Sequence, residues 1–390
     1  MTQTCDTCQS SALEAIYEPE GGGRGLKVYV CNNCGLLQSF PRIDNDQRRP
    51  AAVSSGADWG NVRYGKGFRT QVCLEALSKH ADLTDAARVL DVGSNRGSFV
   101  RALLALAPRV QIVAVEPDER VVDSCAGLER VETIHARIEN TALPDASFDI
   151  IHSCHTIEHL GYPLSVLEDH HRLLKPGGLL LVDAPNVELI GGADILEEWF
   201  IDKHLYHYSP GTLAAVIKAA GFEIVQAPDA RDRENVLILA RKRGAAGAAP
   251  SDAAQAAHAR DLVARYRKTR QINRAALREV AAELTRLSSK KVLVWGAGRL
   301  FDSLVLHGGF DPKTLAALVD THLIKHMKER HGMALQGEDA LEKLCPGVIV
   351  VMSRAFAGEI STIARARAPN AEILVYTDLL SSARGRTAGT

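Results

Sequence analysis

The chain has 390 residues, 46% of them hydrophobic, enough for two or three domains with cores of their own. Its 46 basic and 47 acidic side chains leave a formal net charge of −1. That balance argues against nucleic acid or an anionic membrane as the main partner, because both select a strongly basic face. The longest apolar runs, such as Gly177–Val182, fall far short of the ~20 residues that span a bilayer. The opening MTQTCDTC lacks the apolar core of a secretion signal. The chain therefore reads as cytosolic, where cysteines stay reduced.

Taken in chain order, residues 1–45 come first and hold four of the eight cysteines. Cys5-Asp6-Thr7-Cys8 and Cys31-Asn32-Asn33-Cys34 form two CxxC knuckles, with a strand predicted over Leu26–Val30 between them. Two knuckles offer four soft thiolates, the ligand set of a tetrahedral Zn²⁺. Four thiolates leave no open position, so the metal is expected to be structural, stapling a zinc-ribbon-like segment too small to fold alone.

The second segment, residues 46–243, is polar at first and then helical before strand-like and helix-like patterns alternate from residue 88. Arg88–Gly97 (RVLDVGSNRG) reads as an apolar strand, a glycine turn and a helix start. Gly93 permits a tight turn and close backbone approach to a ligand, and the helix N-terminus behind it favours a carboxylate. The middle position is Asn95, where the dinucleotide fingerprint has glycine. A second apolar strand, Val110–Val115, ends at Glu116, where an acidic side chain reaches ribose hydroxyls in a Rossmann-like unit.

Residues 244–252 (GAAGAAPSD) read as a linker. The third segment, residues 253–390, opens with a helical stretch, Asp252–Ser289, that reads as a spacer. It continues with another strand running into a glycine turn, Val292–Gly298. Two Rossmann-like units are therefore expected. The Gly296-Ala297-Gly298 turn is open to two readings: a turn facing a nucleotide, or one kept for packing. Cys73, Cys125, Cys154 and Cys345 are expected to be buried as small apolar residues.

The second segment resembles the class I S-adenosylmethionine (SAM)-dependent methyltransferases. VLDVGSNRGSFV looks like their first motif and VAVEP like the second. LPDASFDIIHSCHTIEHL looks like the stretch through their fourth strand, HHRLLKPGGLLLVDAPN like the fifth, and HLYHYSPGTLAAVIKAAGFEIV like the closing segment. The resemblance implies a Rossmann-like α/β domain. It implies that Asp91, Gly93, Ser94, Asn95, Gly97, Glu116, Pro117, Arg137, Ile138 and His155 hold the cofactor.

Methyl transfer is an in-line displacement at a sulfonium methyl, so the protein mainly positions the nucleophile and takes its proton. Histidines, a glutamate and tyrosines cluster in two places, His152/His155/Glu158/His159 and His204/Tyr206/His207/Tyr208. His204 is the first candidate base, followed by His155 and His207. Tyr64 joins them because its Gly-flanked stretch (RYGKG) can fold over a site.

The order of cysteine knuckles, methyltransferase domain and C-terminal Rossmann-like unit resembles the deoxysugar C-methyltransferases, which methylate a ring carbon of a nucleotide-linked keto-sugar. In that family the C-terminal unit helps enclose the sugar and binds no cofactor. The family's Tyr-x-Glu-His set falls on Ile201-Asp202-Lys203-His204, where the histidine alone matches. The expectation is a SAM-dependent enzyme for a small-molecule acceptor, foremost a nucleotide-sugar, working as a monomer or homodimer. The alternatives are a methyltransferase acting at O, N, S or C of another natural-product intermediate, and a zinc-bearing binding protein with a vestigial SAM fold.

Overall fold

The computed structural model describes residues 3–20, 25–42, 68–84, 88–200, 204–247, 249, 251–354 and 356–387. It divides into two compact units. One contains residues 1–189 and 200–263; the other contains residues 190–199 and 264–390.

The first unit is built on a seven-stranded sheet. Its strands in chain order are β4 (Arg88–Val92), β5 (Gln111–Val115), β6 (Val131–Ile134), β7 (Phe148–Cys154), β8 (Leu174–Pro185), β10 (Phe222–Gln226) and β11 (Asn235–Lys242). They lie in the order β10-β11-β8-β7-β4-β5-β6, and β11 runs antiparallel to both of its neighbours. The inner strands are apolar on both faces, as parallel strands covered on both sides must be: Leu179–Val182 and Val89–Leu90 are all buried. Helices α1 (Phe68–Ser78), α2 (Ser98–Leu106), α3 (Pro163–Leu173) and α4 (Pro210–Ala219) belong to this unit. The strand order reverses between β4 and β7, and the crevice at such a switch point is where open α/β sheets bind ligands.

The cysteine segment forms no separate domain. Strands β1 (Leu13–Tyr17), β2 (Lys27–Cys31) and β3 (Leu37–Phe40) form an antiparallel sheet completed by β9 (Tyr206–His207). Leu37 pairs with His207 and Gln38 with Tyr206. Cys5, Cys31, Cys34 and Leu36 belong to the same apolar cluster as Leu90, Leu180 and Leu213. Buried Asp6, between the first two cysteines, accepts the N–H of Leu164 (2.8 Å) in the first turn of α3, a donor with no partner inside the helix. Arg42 lies over the rings of Phe40, Tyr162 and Tyr206 and donates to the Gly161 carbonyl. These ties fasten the segment to the large sheet.

The stretch expected as a linker is laid down on the first unit. Gly244 and Gly247 donate to the carbonyls of Gly221 and Ala219, and Asp252 donates to that of Asn33. The following helix, α5 (Ala253–Arg286), is one continuous element whose residues to Val263 belong to the first unit and the rest to the second.

In the second unit, β12 (Val292–Trp295), β13 (Ala317–Val319), β15 (Met333–Gln336), β16 (Val348–Val351) and β17 (Glu372–Val375) form a parallel sheet. Its order is β15-β13-β12-β16-β17, with the short antiparallel β14 (Glu329–Arg330) at one edge. Its first strand is the one expected over Val292–Gly298. Residues 190–199 belong to this unit. Asn273 donates to the carbonyls of Ala193 and Ile195, Arg270 to Leu196, Arg384 to Ala193, and Arg354 to Glu197. Cys73 and Cys125 are buried, but Cys345 is exposed and Cys154 is half-buried, because Cys345 lies at a helix end and Cys154 at a strand end. Among the described residues no helix is long and apolar enough to cross a membrane.

Candidate active site

The glycine turn after β4 sits at the switch point. Gly93 has φ +75°, and a Cβ there would lie 2.3 Å from the Thr156 hydroxyl. That hydroxyl is anchored, donating to the carbonyls of Val92 and Cys154. Only glycine both adopts this conformation and permits the approach. Gly97, at φ +73°, stands equally close to the Cys125 sulfur and ends at the first turn of α2. Asn95 also has positive φ, and its N–H donates to Glu116 (2.7 Å). The other Glu116 oxygen accepts from Asp118 N–H. Glu116 thus fixes the loop from the end of β5. Burial pushes its carboxyl up, against the pull of those two N–H groups.

Asp91 and His152 face each other across the β4–β7 register, with Asp91 Oδ1 2.7 Å from His152 Nδ1. The imidazole stacks flat on Phe99 at 3.7 Å. Burial works against its cation, but Asp91 outweighs burial and raises it to about 10. Asp91 Oδ2 is buried and, among the described residues, accepts no hydrogen bond. A histidine inside the apolar run FDIIHSC was the signal for this pair. Its partnership was not readable, because register is a tertiary property.

These features suit SAM. The helix N-terminus behind Gly97 favours its carboxylate. The Glu116 oxygens keep lone pairs for ribose hydroxyls, and Asp91 Oδ2 is a buried acceptor that accepts no hydrogen bond among the described residues. The other expected cofactor contacts are placed less directly. Ser94 is buried in the turn, the Pro117 carbonyl accepts from His135, Ile138 is buried, and the Arg137 guanidinium is paired with Glu139 at 2.9 Å.

The second group of candidates grows from the turn after β7. His155 follows the strand with φ +52°, a strained setting for a side chain with a Cβ, and its N–H donates to Asp183 O (2.7 Å). The short 3₁₀ turn Ile157–His159 comes next. Glu158 is 1% exposed, with His155 Nδ1 at 3.5 Å and His159 Nε2 at 3.8 Å from the same oxygen. The His204 ring meets His159 edge-on, centroids 4.9 Å apart, and Leu205 N–H donates to the Glu158 carbonyl. Burial would raise Glu158, yet the surrounding imidazoles, His159 foremost, hold it down at about 2. Burial, then His159, keeps His204 well below its ordinary value. His155 is raised despite burial, by Glu158 and then Asp183.

The structure thus brings together His155, Glu158, His159 and His204. His207 is turned aside: Nε2 lies 2.9 Å from Ser39 Oγ and the ring packs on Phe200, so it fastens β9 to β3. Tyr64 and Ile201–Lys203 lie outside the described residues. One pair had no sequence signal. Arg69, buried on α1, is bound to buried Asp183 (2.7 Å) and to Asp232, bracing the end of β8 below His155.

At the cysteine segment, Cys5 and Cys34 sulfurs are 3.6 Å apart and Cys8 and Cys31 sulfurs 3.4 Å apart, all four converging. Four sulfurs at ~2.3 Å from one tetrahedral Zn²⁺ stand ~3.8 Å from each other, so the donor set fits. In the C-terminal unit, Gly296 is required because a Cβ would strike the Met352 carbonyl at 2.6 Å. Asp320 caps the N–H groups of Ala297, His322 and Leu323.

Residues 66–227 match the family described as a methyltransferase domain. A probable SAM-dependent methyltransferase of Mycolicibacterium smegmatis is 30% identical over 138 residues, 35% of this chain and 52% of that protein. A ubiquinone biosynthesis O-methyltransferase of Xanthomonas oryzae is 28% identical over 167 residues, 39% of this chain and 69% of its own. A solved SAM-dependent methyltransferase from Aquifex aeolicus covers 43% of this chain and 89% of its own, at 21% identity and a TM-score of 0.36. The chain spans about half the length of the first of these relatives. Residues 66–227 are therefore a methyltransferase domain of the SAM-dependent kind.

Proposed function

We propose that the protein transfers a methyl group from SAM to a small-molecule acceptor seated over His155, Glu158, His159 and His204. One observation carries this reading. The turn that presents the histidines is the turn whose Thr156 lies against Gly93, so the donor loop and the proton-handling groups share a wall. Bound SAM supplies an electrophilic methyl on a sulfonium. The chain's part is to seat the acceptor and take its proton. His204, held neutral by burial, is in the form that accepts a proton. The ionised Glu158 beside it steadies the imidazolium that results.

The leading acceptor is a nucleotide-linked keto-sugar, methylated at the carbon next to the ketone. The base removes that proton, the enolate carbon bonds the methyl group, and the S–CH₃ electron pair leaves on sulfur. The resemblance to the deoxysugar C-methyltransferases supports this, as do the cysteine cluster, for which we infer structural Zn²⁺, and the second Rossmann-like unit. Calorimetry with SAM tests the donor: no binding at millimolar SAM removes the enzyme. Titration with dTDP and related nucleotides tests the acceptor, since none binding removes the sugar. His204→Ala is expected to cut turnover at least tenfold, in the range of general-base effects, while SAM affinity holds.

A further inference from the structure

The acceptor end carries a second feature that proton transfer does not explain. Glu158 is 1% exposed, and one of its carboxylate oxygens faces two imidazoles, His155 Nδ1 at 3.5 Å and His159 Nε2 at 3.8 Å. A buried carboxylate needs compensating positive charge close by. The groups around it are imidazole rings. One ligand atom each from Glu158, His159 and His204 lies within 4.8 Å of the others.

We infer that Glu158, His159 and His204 form a binding site for a divalent transition-metal ion, distinct from the four-cysteine cluster. Two atoms bound to one cation at ~2.1 Å each can stand at most ~4.2 Å apart. The Glu158–His159 pair, at 3.8 Å, already satisfies this. The His204 nitrogen needs to close by well under an ångström. Two imidazoles and one carboxylate suit iron, cobalt, nickel or zinc rather than magnesium or calcium, which prefer all-oxygen sets. Three ligands leave coordination positions open, and the side chain of His159 is 33% exposed, so the cation has a face toward an incoming molecule.

The proposal rests on the methyltransferase reading only in its consequence for the acceptor. A cation at the open end of this turn selects an acceptor with two adjacent oxygens, such as a ketone beside a hydroxyl. It polarises the carbonyl and lowers the cost of the enolate. With the cation bound, His204 is a ligand, and this replaces the general-base role proposed above.

The test uses the full chain with its cysteine site filled by zinc, titrated with Co²⁺ and followed by visible absorption. The expected result is one added equivalent with ligand-field bands of nitrogen and oxygen ligation and no thiolate-to-cobalt charge transfer. Glu158→Ala and His204→Gln should each weaken that Co²⁺ at least tenfold, the lower end of what disturbing a metal's surroundings costs. Either variant suffices if the other misfolds. No added equivalent in the native chain, thiolate bands, or undiminished binding in a folded variant overturns the site. SAM calorimetry on the same samples separates the two ideas. A chain that binds cobalt and not SAM keeps the metal and loses the methyltransferase; the reverse keeps the methyltransferase alone.

Discussion

Gly93 is held at φ +75° with the anchored Thr156 hydroxyl where a side chain would start. Gly93→Ala is therefore expected to cost about 1–3 kcal/mol through strain alone, and calorimetry should show SAM affinity falling at least tenfold; native affinity would contradict this account of the turn. His170 offers a different test. It is 1% exposed on α3, and burial alone lowers it to about 4. Unfolded, it titrates near 6.5. Between those values the unfolded chain binds more protons, so the stability contribution is complete above pH 6.5 and falls away as pH drops through 4. Charging the buried ring costs roughly 3 kcal/mol. His170→Leu should lose less Tm than the native chain between pH 7 and pH 4.5, and equal losses would refute the assignment. Residues in a motif that fixes backbone, such as Gly93 and Gly97, were legible in the sequence because turn geometry is local. Glu158 was not legible as the centre of its cluster, because its neighbours arrive from residue 204 through a tertiary contact.

At the scale of elements, the four-stranded sheet links the cysteine cluster to the cluster of Glu158, His159 and His204. β3 pairs with β9, and β9 begins two residues after His204. Ser39 holds His207 across that pair, and Asp6 holds the start of α3. Asp6→Ala should cost about 1 kcal/mol, as loss of a helix cap does. Removing the Zn²⁺ that we infer at the cysteine cluster with a chelator should speed hydrogen exchange at Leu205–Tyr208 before it affects β4. Unchanged protection there would separate the cluster from the site. The CxxC spacing announced four converging sulfurs. It could not announce this sheet, since the partner strand Tyr206–His207 is two residues long and carries no periodicity of its own. For the same reason His207 read as a base candidate beside His204, when the pairing turns it toward Ser39.

At the scale of the whole molecule, the two strand–glycine turns each open from a strand of a largely parallel sheet, because a parallel strand buried on both faces is an unbroken apolar run. The boundary between the units was less legible. Composition marked residues 244–252, yet the contacts divide α5 after Val263 and give residues 190–199 to the second unit. Polar, long-range contacts help hold that segment there: Arg354, Arg270, Asn273 and Arg384 reach it from far along the chain.

Each unit therefore contains a piece of chain from either side of Gly247. Residues 190–199 precede it and complete the second unit, while residues 253–263 follow it and complete the first. Cutting the backbone at Gly247 should give two fragments on a denaturing gel that still elute together at the size of the uncut protein; separate elution would refute the interlock. A gene split at that point is then expected to work in trans, its two products clasping into one particle that neither could form alone.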